Sequence, residues 1–235
     1  MYVAMSGAMA RLDQLDAIAD NLANSQTPGF KAVRPTYESF TADEPERTGP
    51  STQVHTALVS NGVDLRPGQV STTNRPLDVV PENNAFFAVQ GLNGGVAFTR
   101  NGNMQVSALG QLLTAGQAVL GTSGETIHVP PGTIPTIAED GTVTAGGSTV
   151  GKLALFQLEG PVERMGGAIV TPADGGAARS VDAKVHVGQL EMSNSNPLQL
   201  TVDLISAQRQ YDTSMQAIQA YKTLDGQAMQ VGHVS

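Results

Sequence analysis

The strongest constraint on how this 235-residue chain can fold is an apolar stripe of helical spacing at each end, with a stretch of different character between them. Met5, Ala8, Leu12, Leu15, Ala19 and Leu22 recur at alternating gaps of 3 and 4 residues, an unbroken heptad seam. Arg11, Asp13, Gln14, Asp16 and Asp20 occupy the other side. So narrow a stripe suits one or two partner helices rather than a broad core. The pattern predicts a helix that stops near Asn24, ahead of Pro28 and Gly29.

The second stripe begins after Ser195-Asn196-Pro197-Leu198-Gln199. Asn196 suits a cap, Pro197 the first helical position, and Gln199 the far corner of a capping box. Leu204, Ala207, Tyr211, Met215, Ile218, Tyr221, Leu224 and Ala228 then predict a helix from about 197 to about 231. An isolated helix of either length is marginal in water. The two ends are therefore expected to need each other, and helices of neighbouring molecules, to become fully ordered.

Between them, from Val54 to about Leu190, Val, Thr and Gly dominate and apolar residues alternate. Arg100-Asn101-Gly102-Asn103 reads as a hairpin turn between 96–99 and 104–106, and Asp140-Gly141 as a second one. Lys152–Glu159 alternates over eight residues, and Ala183–Val187 more briefly. Ala85-Phe86-Phe87-Ala88-Val89 reads as a short buried strand, and Gly91-Leu92-Asn93-Gly94-Gly95 as a turn. Ala32 to about Gln53, with Pro35, Pro45, Pro50 and the acidic Asp43-Glu44-Glu46, reads as an extended and poorly packed connector. The expected class is α+β. The terminal helices make a coiled-coil-like inner domain, marginal when the chain is alone, and the centre is an antiparallel, turn-rich β domain. The expected divisions are 1–31 for the N-terminal helix and a junction motif, 32–74 for the connector, 75–190 for the β domain and 191–235 for the C-terminal helix.

Composition excludes several functions. A formal charge of −8 with only 13 Lys and Arg is a poor match to nucleic acid. No stretch approaches 18 apolar residues, so no membrane insertion is expected, and the N-terminus lacks the pattern of a cleaved secretory signal. With no Cys there are no disulfides, thiolate nucleophiles or cysteine metal sites. His55, His128, His186 and His233 lie too far apart for a metal-binding spacing, so no metal or cofactor is expected.

The residues at both ends are specific enough to carry a resemblance. Tyr2-Val3-Ala4-Met5-Ser6-Gly7-Ala8, then Ile18-Ala19-Asp20-Asn21-Leu22-Ala23-Asn24-Ser25-Gln26-Thr27-Pro28-Gly29-Phe30-Lys31, closely resembles the N-terminal signature of the bacterial flagellar basal-body rod and hook proteins. Arg75-Pro76-Leu77-Asp78, Ala85–Val89, Phe98–Gly102 and Leu109–Thr114 resemble the family's central stretches in order. Leu190–Asn196 followed by Ser206–Tyr211 resembles its C-terminal signature. The short chain and the opening Tyr2–Ala8 are most similar to proximal rod members. Asp20, Pro28 and Asn83-Asn84 depart from the usual pattern.

The resemblance implies a structural subunit that assembles helically with itself and other rod subunits. It would leave the cell through the flagellar type III export apparatus without a cleaved signal, sit in the periplasmic rod of the basal body, and transmit torque from motor to hook. The terminal helices would form an inner coiled-coil tube with the β domain facing outward. Asn21, Asn24, Thr27, Pro28, Gly29 and Phe30 would form the junction where the chain turns away from the inner helix. Asn24 would cap, Thr27 would bond local backbone, Pro28-Gly29 would set the bend and Phe30 would seat against a neighbouring element. Met5, Leu12, Leu15 and Leu22, with Leu204, Tyr211, Met215 and Ile218, would form the helix-seam interface.

A distal rod or hook subunit is the alternative within the family. Outside it stand a cell-wall glycan-acting enzyme and a monomeric binding scaffold. The enzyme reading needs a carboxylate pair among Glu139, Asp140, Glu159 and Glu163, and sugar-stacking aromatics that a chain with no Trp is short of. No catalytic residue is therefore expected.

Overall fold

The computed structural model describes residues 2–42, 53–91 and 94–232. The chain forms two compact units from interleaved segments. One takes Met1–Leu22, Val33–Asn61 and Pro197–Ser235, and the other takes Ala23–Ala32 and Gly62–Asn196. With two helices and many antiparallel strands, the class is α+β with a β-rich centre.

The first unit contains helix α1, Tyr2–Ala23, and helix α2, Pro197–Gly232. Helix α1 ends one residue before Asn24. Helix α2 opens on Pro197, whose missing N–H costs nothing in a first turn. Its mid-helix hydroxyls are satisfied internally: Thr201, Ser206, Thr213, Ser214 and Thr223 each donate to the carbonyl four residues back. Gln199 donates to Asp203 at 2.9 Å one turn on.

The stretch read as a connector supplies strands Val33–Ala42 and Gln53–Val63, paired as a two-stranded sheet, and the short strand Val70–Thr72. Pro35 is tolerated because each strand of a two-stranded ribbon has a free edge. The acidic Asp43-Glu44-Glu46 cluster, Pro45 and Pro50 lie outside the described residues.

The second unit is built on a six-stranded antiparallel sheet. Its order is Val162–Gly166, Ile169–Pro172, Val96–Thr99, Phe86–Gln90, Leu155–Glu159, Ala177–Ser180. Phe86–Gln90 is central, and this explains why it is continuously apolar: both of its faces are covered. Phe87 and Ala85 enter a cluster with Val79, Met104, Leu112, Val143 and Leu153, while Phe86 and Ala88 enter another with Phe98, Leu120 and Val170. Phe98 and Phe156 meet as tilted rings 5.2 Å apart. Gly91 and Gly95 close the turn after the central strand through a 2.7 Å backbone bond; Leu92 and Asn93 lie outside the described residues.

Two readings of the strands need correction. Arg100–Asn103 is not a hairpin turn. Val96–Thr99 pairs within the six-stranded sheet, whereas Met104–Val106 joins Leu112–Thr114 in another, so the four residues cross between sheets. Burial of Arg100 and Asn101, at 4% and 8% exposure, holds the crossover inside the unit. Lys152–Glu159 is likewise not one strand. Ser148–Lys152 pairs with Thr142–Ala145, Leu153 and Ala154 bond to Gly141 and Leu120, and Leu155–Glu159 starts a new pairing. Alternation does not reveal which sheet each half joins. At Asp140-Gly141 the hairpin is formed: Pro135–Ile137 pairs with Thr142–Ala145, and Gly141 takes a φ of +82°.

The compact units do not follow the divisions at 31/32, 74/75 and 190/191. Residues 23–32 and 191–196 belong with the β strands, because hydrogen bonds and a buried ion cluster tie them there.

Candidate functional site

Asn21 ties helix α1 to the strand that follows it. Asn21, 6% exposed, donates from Nδ2 to the Val33 carbonyl and accepts from the Val33 N–H through Oδ1, both at 2.8 Å. An amide is the side chain that can offer a donor and an acceptor side by side in this way. The bond pair imitates a strand partner and fixes where the chain leaves the helix.

The turn that follows is built locally. The Thr27 N–H donates to the Asn24 carbonyl at 3.1 Å, and the Phe30 N–H to the Thr27 carbonyl at 3.3 Å. The Thr27 hydroxyl reaches the Asn24 side chain at 3.4 Å, a side-chain partner where the backbone was expected. Pro28 is half-buried and lines a depression of about 300 Å3 with Asn101, Asn103 and Thr114. Gly29 has a φ of +68° and lies so close to the Arg100–Asn101 peptide that a Cβ would overlap it. Its N–H donates to the Glu191 carbonyl at 2.8 Å. Phe30 is fully buried, with the Arg164 guanidinium 4.9 Å above its ring.

Beneath this turn is a buried ion cluster. Lys31 Nζ donates to Glu191 Oε1 at 2.6 Å and to the Arg66 carbonyl at 2.8 Å. Arg100 Nε donates to Glu191 Oε2 at 2.6 Å, and its Nη1 to the Ala85 carbonyl. The Gly68 N–H also reaches Glu191 Oε1, at 3.0 Å. The three charged side chains are only 2%, 5% and 1% exposed for Lys31, Arg100 and Glu191. Burial lowers the Lys31 amine below its ordinary value, more than the hydrogen bond and charge of Glu191 restore it. Burial alone would raise the Glu191 carboxyl. The charges of Arg100 and Lys31 and the hydrogen bonds from Lys31 and Gly68 reverse that, and it lies below its ordinary value.

Asn194 completes the arrangement. Its Oδ1 accepts the Ala32 N–H at 2.8 Å, and its Nδ2 donates to the carbonyls of Asp64 at 2.8 Å and Arg66 at 3.1 Å. Segments 29–32, 64–68, 100–101 and 191–194 thus meet around one carboxylate and one amide.

Sequence reasoning quoted Lys31, Arg100, Glu191 and Asn194 within motifs but gave them no role. Lys31 and Glu191 are 160 residues apart, and no local pattern pairs them. The available signal was a charge set inside an apolar context at each site, Phe30-Lys31-Ala32 and Leu190-Glu191-Met192, which marks burial with a partner.

The helix-seam residues fall unevenly. On α1, Ala8 and Ile18 are buried, Leu15 and Leu22 half-buried, and Leu12 is 46% exposed; Ala19 is exposed as well. The covered face is rotated from the seam read in sequence, with Ile18 inside it. The side chain of Met5 lies outside the described residues. On α2, Ala207 and Ile218 are buried and Leu204, Tyr211 and Met215 half-buried, a stripe at gaps of 3 and 4. The side chains of Tyr221, Leu224 and Ala228 lie outside the described residues.

Among the described residues no group of His, Asp or Glu could hold a metal, and no helix is long and apolar enough to cross a membrane. Asp140 serves its own turn. It accepts from the Thr142 N–H at 3.0 Å and hydroxyl at 2.8 Å, and those bonds lower its pKa.

Comparison with known proteins gives this architecture its class. The chain matches a family model described as flagella basal body rod protein over residues 1–31. It matches flagellar hook protein FlgE/F/G D1 domain over 82–145, and flagellar basal body rod FlgEFG protein C-terminal over 186–231. The first match ends on Lys31, and the third includes Glu191 and Asn194. The chain belongs to the flagellar basal-body rod protein family. It is 34% identical to the rod protein FlgF of Salmonella typhimurium, covering 98% of this chain and 97% of the relative. The FlgF of Escherichia coli is 33% identical at the same coverage, and the FlgG of Buchnera aphidicola subsp. Schizaphis graminum is 28% identical across 93% of this chain and 94% of the relative. The family and these relatives make the chain a rod protein of the proximal type, a structural subunit of the flagellar basal body with a non-enzymatic role.

Proposed function

We propose that the chain assembles helically with copies of itself and with other rod subunits, and that α1 and α2 pack as a coiled-coil-like inner layer that carries torque from motor to hook. The observation that carries this is the apolar surface left on both helices. Met9 and Leu12 on α1 are 60% and 46% exposed; Leu198, Val202 and Ile205 on α2 are 80%, 58% and 48% exposed. The α2 residues sit at i, i+4 and i+7, one helix face, opposite the covered stripe of Ala207 and Ile218. Covering a Leu-sized side chain stabilises by about 1.5–3 kcal/mol, so neighbouring helices have much to gain there.

The reading extends to the rod's periplasmic location, to export through the flagellar type III apparatus without a cleaved signal, and to the junction motif. Asn21, Asn24, Thr27, Pro28, Gly29 and Phe30 would fix the path by which the chain leaves the inner layer. The test is Leu12→Asp and Val202→Asp in a motile strain, because neither side chain is buried within the chain. Each variant should fold with an unchanged melting temperature and yet fail to enter basal bodies, leaving cells non-motile. Normal swimming by both variants would remove the helix faces from assembly. Cross-linking from Ala19 and Val202 in isolated basal bodies should reach neighbouring rod subunits.

A further inference from the structure

We propose that Glu191 is a latch without which the N-terminal junction cannot dock on the β unit. The argument starts from the charge count. Two cations, Lys31 and Arg100, share one carboxylate, and all three side chains are almost fully excluded from water. Asp64, whose charge also favours the Lys31 ammonium, is engaged in a bidentate bond with exposed Arg66, at 2.6–3.1 Å. Without Glu191 neither buried cation would keep a carboxylate bonded to it in a dry interior, which is strongly destabilising.

The three partners come from three places in the chain. Arg100 is on the crossover inside the β unit. Lys31 arrives with the N-terminal junction, and Glu191 with the C-terminal one. If residues 29–32 docked first, the Lys31 ammonium would be buried beside Arg100 with no carboxylate bonded to either. The backbone repeats the dependence. The Gly29 N–H has the Glu191 carbonyl as its acceptor, the Ala32 N–H has the Asn194 side chain, and Gly68 lies so close to the Met192 carbonyl that only a residue without a Cβ fits. The N-terminal junction therefore stays open until residues 191–194 are in place. For a chain exported N-terminus first, which rests on the rod reading above, the exit from α1 would stay unfixed until the last fifth of the sequence emerges. The latch itself does not depend on that reading.

Amide hydrogen exchange on the purified full-length chain tests the latch, with the amides of Ala88 and Leu120, bonded inside the β unit, as internal reference. Glu191→Gln keeps the shape and removes the charge. It should speed exchange at Gly29, Ala32, Gly68 and Met192 together, on the order of 100-fold or more, with Ala88 and Leu120 much less affected. Lys31→Met leaves one cation and one carboxylate, and should be milder. Adding Lys31→Met to Glu191→Gln should slow exchange relative to Glu191→Gln alone, because it removes a stranded charge. Protection retained at Gly29 and Ala32 in Glu191→Gln would mean that the junctions dock independently and would overturn the latch. So would a double variant more open than Glu191→Gln. If Glu191→Gln does not fold at all, recovery of the fold in the double variant supports the latch and no recovery overturns it.

Discussion

Phe87 and Leu198 are both large apolar side chains, but Phe87 is fully buried in the β unit and Leu198 is 80% exposed on α2. The contrast runs through both regions. The β unit covers its central strand on two faces and has its own fully enclosed core. The helices carry an apolar stripe only partly covered and leave a second set of apolar residues in water. The β unit encloses its own core, whereas the described helices leave apolar faces exposed. On the assembly reading proposed above, a polar substitution should cost stability in the β unit and assembly on the helices.

The largest effect that would break this comparison lies in the core. Phe87→Ala should destabilise the β unit by about 3–5 kcal/mol, measured by denaturant unfolding of the purified chain. A loss under about 1 kcal/mol would mean that the central strand is not the keystone its burial makes it. Next is Gly29→Ala, which must adopt a left-handed φ and displace the Arg100–Asn101 peptide. It should lower the melting temperature and expose the junction to proteolysis. Asn21→Ala strands the buried N–H and carbonyl of Val33 and should cost about 1–3 kcal/mol.

An acid titration sharpens the comparison further. The Glu191 carboxyl is lower in the folded chain than its ordinary 4.5, so its contribution is fully present above that pH and is lost as pH falls through the lower folded value. The wild-type chain should lose this stability below about pH 4.5, and Glu191→Gln should lack that component of the acid slope. Lys31 gives the complementary window. Its folded value lies below 10.5, so the unfolded chain holds the proton more tightly and stability should rise with pH between the two values. That rise should vanish in Lys31→Met. The smallest effect is Val202→Asp, expected to change the stability of the lone chain by no more than about 0.5 kcal/mol. A large loss there would show that the exposed face of α2 is already in use within the chain.

Different parts of the fold were readable to different depths. Helix α2 could be placed to within a residue at both ends, because Pro197 and the heptad spacing are local signals. The central strand was legible from Ala85–Val89 for the same reason. The Arg100–Asn103 crossover was not. Asn-Gly between two short strands looks the same whether the strands pair or part, and the deciding contacts, from Arg100 to Glu191 and Thr114 to Asn101, come from 91 and 13 residues away. On α1 the repeat gave the apolar residues but not which of them the lone chain covers. The repeat included Leu12 and passed over Ile18, whereas the folded unit buries Ile18 and leaves Leu12 exposed.

At the junction, the bend was visible in eleven consecutive residues, since Pro28 and Gly29 act on the backbone at their own positions; the partner of the Thr27 hydroxyl, the Asn24 side chain, was not. Phe30 was legible as a side chain seeking cover. The buried cluster beneath it was hidden, because a carboxylate and an ammonium 160 residues apart leave no pattern in either neighbourhood.

The sequence by itself determined the division into terminal helices and a β centre, the positions where those helices begin and end, and the bend after α1. Those features follow from backbone preferences and from apolar spacing over a few residues. The tertiary structure decided which strands pair, which helix face is covered, and that Lys31, Arg100 and Glu191 share one dry site. Coulomb attraction and burial act through space, and spatial proximity between distant residues exists only once the chain has folded.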